Sequence, residues 1–246
     1  MQSNASSTSR LFLAVVALCG LTVLWNASLY PSSANHVRFA SFLLVACLAA
    51  RLKVKLPGIT GSMSVNLPFI LVAVAEMSFM EATAVACLST LVQGLPRATQ
   101  KFSADQATFN FCNMALAVAA TRLAFGEPTL GRVIGSHPLL LSVSAAVFFV
   151  VNTVPVAIII SLTEAKNVLN VWGNIFRLSF PYFVASGAIA GVVLAASERI
   201  GWQVPLCVLP VMFGVYHSYK RYFVTNTEAT PAPLERAQAA SASYNH

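Results

Sequence analysis

Charge is what this sequence has least of. Its 246 residues include 8 Asp+Glu and 15 Lys+Arg, so charged residues make up 9% of the chain, against about 25% in soluble globular proteins. So few charged groups cannot cover the outside of a soluble sphere of this length, which excludes an ordinary cytosolic enzyme, a coiled coil and a disordered chain. The five cysteines (Cys19, Cys47, Cys87, Cys112 and Cys207) lie inside apolar segments, with no CxxC and no Cys/His pair at metal-ligand spacing. They read as small buried hydrophobes rather than a disulfide or zinc framework. No HExxH, GxSxG, Walker loop or pair of carboxylates within a helical turn occurs, so no catalytic residue, metal or cofactor is predicted. The acids stay at segment ends: Asp105, Glu127, Glu164 and Glu198 can reach water there, and Glu76 and Glu81 read as a solvated loop tip. With no carboxylate at a segment centre, proton-coupled pumping has no support.

What the chain does have is long apolar runs. Hydrophobic residues make up 57%, the mean hydropathy is +0.72, and a helix needs about 17–25 residues to cross a bilayer. The runs are Leu11–Leu29, Val37–Ala50, Ser62–Ala75, Ala82–Leu95, Ala107–Phe125, Pro138–Leu162, Phe176–Ser197 and Val204–Phe223. The predicted fold is an all-α polytopic membrane helix bundle of about eight apolar segments. Residues 1–10 form an N-terminal tail, 11–223 the transmembrane domain, and 224–246 a disordered tail rich in Ala, Ser, Thr and Pro. The opening run, basic at Arg10 and then apolar, lacks an A-x-A site and reads as a retained first span. Segments three and four are short enough to be tilted helices or a re-entrant pair.

Orientation follows from the basic residues. An N-terminus on the cytoplasmic side, with alternation thereafter, puts Arg10, Arg51, Lys53, Lys55, Arg97, Lys101, Lys166, Arg177, Lys220, Arg221 and Arg236 inside. Only Arg38, Arg122, Arg132 and Arg199 fall outside, an asymmetry of the kind that sets membrane topology. Both termini are then cytoplasmic. The net charge of +7 records that orientation and implies no nucleic-acid partner, and the basic stretch 51–55 needs no partner beyond the lipid bilayer.

Polar side chains inside apolar segments are costly and mark candidate sites. Segment three carries Ser62, Ser64 and Asn66 at alternate positions, directly after Pro57-Gly58-Ile59-Thr60-Gly61, which permits a non-helical entry. Segment five carries Asn110 and Asn113 one turn apart, with Gln106 a turn earlier in the same row. Segment six holds Asn152 and Thr153 before Pro155, which should kink its helix. Two readings stay open: these amides bind neighbouring helices together, or Ser62, Ser64, Asn66, Asn110, Asn113 and Asn152 line a ligand pocket. Arg122 is expected to snorkel to the interface. Gly187 and Gly191 form a GxxxG that serves packing within the chain or a homodimer face. Trp25, Trp172, Trp202, Tyr182, Tyr216, Tyr219 and Tyr222 are read as an aromatic belt.

Several strings together resemble a known family. They are Lys53-Val54-Lys55-Leu56-Pro57-Gly58-Ile59-Thr60-Gly61, Leu91-Val92-Gln93, Phe109-Asn110, Asn152-Thr153 and Phe180-Pro181-Tyr182. The series closes on Gly201-Trp202, Leu209-Pro210-Val211-Met212 and Tyr216-His217-Ser218-Tyr219-Lys220. Their order resembles the N-terminal MASE-like membrane sensor region that precedes HD-type phosphohydrolase or diguanylate cyclase modules in bacterial signalling proteins. The resemblance implies a multi-pass protein of the bacterial cytoplasmic membrane that senses or binds a small molecule without catalysis. Too few residues follow Tyr222 for a catalytic output domain, so a cytoplasmic output protein is the expected partner. A weaker likeness, in the rhythm of segments two to four alone, is to substrate-binding subunits of energy-coupling-factor vitamin transporters. It implies a transport ATPase as partner instead.

Overall fold

The structure is a computed structural model that describes residues 2–30, 35–55, 62–95 and 104–228. Helices dominate it. In chain order they are α1 (Gln2–Ser28), α2 (His36–Ala50), α3 (Leu67–Glu76), α4 (Phe79–Gly94), α5 (Ala104–Phe125), α6 (Pro128–Ile134), α7 (His137–Glu164), α8 (Val168–Ile200) and α9 (Val208–Glu228). A 3-10 turn, Val204–Cys207, leads into α9. Each of the eight apolar runs contains a helix, and among the described residues three helical stretches are long and apolar enough to cross a membrane: Ser7–Ser28, His137–Glu164 and Val168–Ile200.

The helices differ from the sequence reading at their ends. α1 begins at Gln2, inside the predicted tail, and α9 continues to Glu228, five residues past the predicted limit at Phe223. The rest of the C-terminal tail, with Arg236, lies outside the described residues, as do Arg97, Lys101 and the Pro57–Gly61 string. α8 starts eight residues earlier than expected because Asn167 caps it, its side chain accepting from the Leu169 N–H at 2.8 Å. Short α6 went unforeseen, although its signals are in the sequence: Glu127 accepts from Thr129 at the start, Pro128 fits the first turn, and Gly135 closes it at φ 66°.

The main correction concerns the third run. Ser62–Ser64 is a strand (β2), antiparallel to Lys53–Lys55 (β1), with Lys53 opposite Ser64 and Lys55 opposite Ser62. The all-α fold therefore carries one small ribbon. The helix starts only at Leu67, where Pro68 occupies the first turn without needing a hydrogen-bond acceptor. α3 is thus ten residues long and rises about 15 Å.

Packing places α3 at the centre. α7 and α8 form the most extensive helix pair, α5 packs on α7 and α4, α1 lies along α5, and α3 packs chiefly against α8 and α4. Every residue of α3 from Leu67 to Val74 is buried. A helix apolar on all sides satisfies its surface only when other helices surround it. The same core gathers Phe42 and Ala46 of α2, Val85 and Ala86 of α4, Val118 of α5, Phe148 of α7 and Tyr182 of α8. Gly187 and Gly191 let α7 approach α8: an added Cβ would stand 3.1 Å from the Ala145 Cβ at the first and 2.8 Å from the Pro138 carbonyl oxygen at the second. The GxxxG is therefore occupied by packing within the chain.

Candidate functional site

Both ends of α3 are tied down by polar groups from other elements. At its start, Asn66 donates through Nδ2 to the Ser89 hydroxyl of α4 at 3.0 Å, and the Leu67 N–H donates to the Tyr182 hydroxyl at 3.4 Å. Tyr182 is 2% exposed, so it is an interior anchor on α8 and not a member of an aromatic belt. Phe69 and Ile70 donate to the Asn66 carbonyl, so the buried start of the helix has acceptors for its N–H groups.

At its other end, Arg122 of α5 donates through Nη1 to the carbonyl oxygens of Val74 (2.8 Å) and Met77 (2.6 Å). The guanidinium meets the negative end of the α3 dipole and satisfies carbonyls that have no helical partner. Arg122 thus bonds to the carbonyls at the end of α3. Glu76 pairs with Arg38 at the start of α2. Glu81, read from sequence as solvated, is 3% exposed and completes a capping box at the start of α4, accepting from the Ser78 N–H at 3.1 Å while Ser78 Oγ accepts from the Glu81 N–H.

A second polar contact joins α5 to α7. Asn113 is 2% exposed, and its Nδ2 donates to the Asn152 backbone oxygen at 2.9 Å, with the Asn152 Oδ1 at 3.3 Å. Pro155 removes the N–H that would otherwise reach Val151 and crowds that turn of α7. Asn113 brings a donor to the weakened stretch from outside. One residue on, the Thr153 hydroxyl donates to Phe149 O at 2.7 Å, and it accepts from the Trp172 indole N–H of α8 at 3.2 Å.

The six residues singled out from sequence thus fall into separate places. Asn113 and Asn152 touch. Asn66 serves the start of α3 beside Ser89. Ser62 and Ser64 sit on β2, in the ribbon that precedes α3. Asn110 is half-buried on α5, and among the described residues its side chain makes no hydrogen bond. Ser89, Tyr182 and Trp172 take part in these contacts without having been candidates. Ser89 and the two aromatics carry no local signal that separates them from packing residues, because their partners lie 23, 115 and 19 residues away.

Among the described residues, no three His, Cys, Asp or Glu side chains come together as a metal-binding group. An open apolar groove runs along α1, lined by Leu18, Leu21, Thr22, Leu24, Trp25 and Ser28. Its lining belongs to a helix long and apolar enough to face lipid, and it contains none of the candidate residues. No family model, curated protein or solved structure matches the chain.

Proposed function

We propose that the chain is a multi-pass membrane module that senses or binds a small molecule without catalysis. In this reading all eight apolar segments sit in the bilayer, β1, β2 and α3 together making the third, with both termini on the cytoplasmic side of a bacterial inner membrane. The observation that carries it is α3. A ten-residue helix covers about half of a hydrocarbon core of about 30 Å, and its start is approached by extended backbone, not by helix. Non-helical backbone at membrane depth survives only where protein or water covers it, and broken segments of this kind are where membrane proteins assemble polar binding sites. Asn66, Ser89 and Tyr182 surround that break. The resemblance to MASE-like sensor regions points the same way and makes a cytoplasmic output protein the natural partner.

Membrane vesicles test the proposal in two ways. Cysteines placed at Lys53 and Lys220 should react with an impermeant reagent from the same side; reaction from opposite sides would overturn the topology. Saturable binding of a small molecule without accumulation supports the sensor. Time-dependent accumulation inside the vesicles would instead assign the chain to a transport system, with a transport ATPase as partner.

A further inference from the structure

Exposure along one face of α5 falls in steps: Gln106 is exposed, Asn110 half-buried and Asn113 buried. The three stand three or four residues apart and form one row on the helix. At the buried end of this row, the Asn113 Oδ1 has no hydrogen-bond partner. Beside it, the Asn152 amide accepts from Asn113 through Oδ1, and among the described residues its Nδ2 donates to nothing. A buried carbonyl oxygen without a donor leaves its desolvation uncompensated, which favours a bound group that supplies one. The unsatisfied groups at the knot are therefore one buried acceptor, on Asn113, and one donor, on half-buried Asn152. One turn away, Asn110 offers both. None of these groups carries a charge.

We propose that this row is the entry to a binding site at Asn113 and Asn152 for an uncharged small molecule with neighbouring N–H and C=O groups, such as a carboxamide or a ring lactam. The inference rests on the membrane-binding reading above and names the ligand's chemistry. The N–H of the ligand donates to the Asn113 Oδ1, and its carbonyl accepts from the Asn152 Nδ2. Entry is from the Gln106 end of α5, which the proposed topology places on the cytoplasmic side. An anion would find no positive group at the knot, so carboxylates are rejected.

The test uses the full chain in membrane vesicles that expose the cytoplasmic face. Asn110→Cys is treated with an impermeant methanethiosulfonate, and its rate is read above the wild-type background. Leu18→Cys, at an exposed position on α1, is the lipid-facing control. Asn110→Cys should react about tenfold faster than this control, with uracil or nicotinamide slowing it and nicotinate leaving it unchanged. Asn113→Ala should weaken that protection about tenfold, the factor expected for one buried hydrogen bond. A rate no higher than the control's overturns the track, and this result does not depend on Asn113→Ala folding. Fast reaction without protection by either amide overturns the ligand class and leaves ordered water as the partner of Asn113. Equal protection by nicotinate overturns the requirement for an uncharged ligand. Saturable binding of another compound that ignores Asn113→Ala would remove this site while leaving the broader sensor reading intact.

Discussion

Gly20 of α1 lies directly against Cys112 of α5: a Cβ added to the glycine would stand 2.4 Å from the Cys112 Cβ and 2.7 Å from its Cα. Neither atom is the tip of a flexible side chain, so any larger residue there must push the helices apart. The contact lets Val16 pack with Phe109 and Cys112 in a small cluster between α1 and α5. Small residues at such crossings allow close van der Waals packing where no hydrophobic driving force acts between helices in lipid. Gly20→Ala is therefore expected to destabilise the protein by about 1–3 kcal/mol, the usual cost of overpacking. The melting temperature of the detergent-purified protein should fall, and Cys112 should become more reactive toward a small thiol reagent.

The glycines of α8 give a contrasting pair. At Gly191 a Cβ would stand 2.8 Å from both the Pro138 carbonyl oxygen and the Ser142 Oγ, whereas at Gly173 nothing lies within 4 Å. Gly191→Ala should lower the melting temperature. Gly173→Ala, inside the helix with open space around it, should raise stability by about 0.5–1 kcal/mol through reduced freedom of the unfolded chain.

Arg122 is expected to be the most sensitive charged position. Arg122→Leu strands the carbonyls of Val74 and Met77, each of which loses a charge-assisted bond of about 1.5–3 kcal/mol. Arg122→Lys keeps the charge and can reach one or both oxygens, so it should fall between leucine and wild type. The readout is thermal unfolding, together with protease cleavage near residues 74–78, which should appear in the leucine variant first.

Glu81 separates a cap from a surface charge. Glu81→Ala removes the acceptor for the Ser78 N–H and should cost about 1 kcal/mol. Glu81→Gln retains an oxygen in the same place and should cost less. A solvated glutamate would show no difference between the two substitutions in thermal unfolding.

Much of the bundle was legible because lipid-length apolar runs leave few alternatives. Eight runs each yield a helix, and Pro155 and the Asn113 row were recognisable from spacing alone. The third run misled for a local reason: Ser62 and Ser64 alternate with Met63 and Val65, a pattern that suits a strand at least as well as a helix. The start of α3 depends on Pro68 and on the ribbon formed with Lys53–Lys55, a pairing that apolarity does not reveal. Glu81 was misread because its capping role needs Ser78, and its burial needs the surrounding helices.

Composition alone committed this chain to apolar helices, since a surface with so little charge cannot be solvated by water. Which polar groups meet was decided only by the tertiary structure. Asn66, Asn113 and Arg122 carry the same type of signal in sequence: a polar side chain in or near an apolar run. Their fates differ because packing puts Ser89, the proline-containing turn of α7 and the open end of α3 in front of them. A hydrogen bond reaches only about 3 Å, so its partner is chosen by where two distant stretches of chain come to rest.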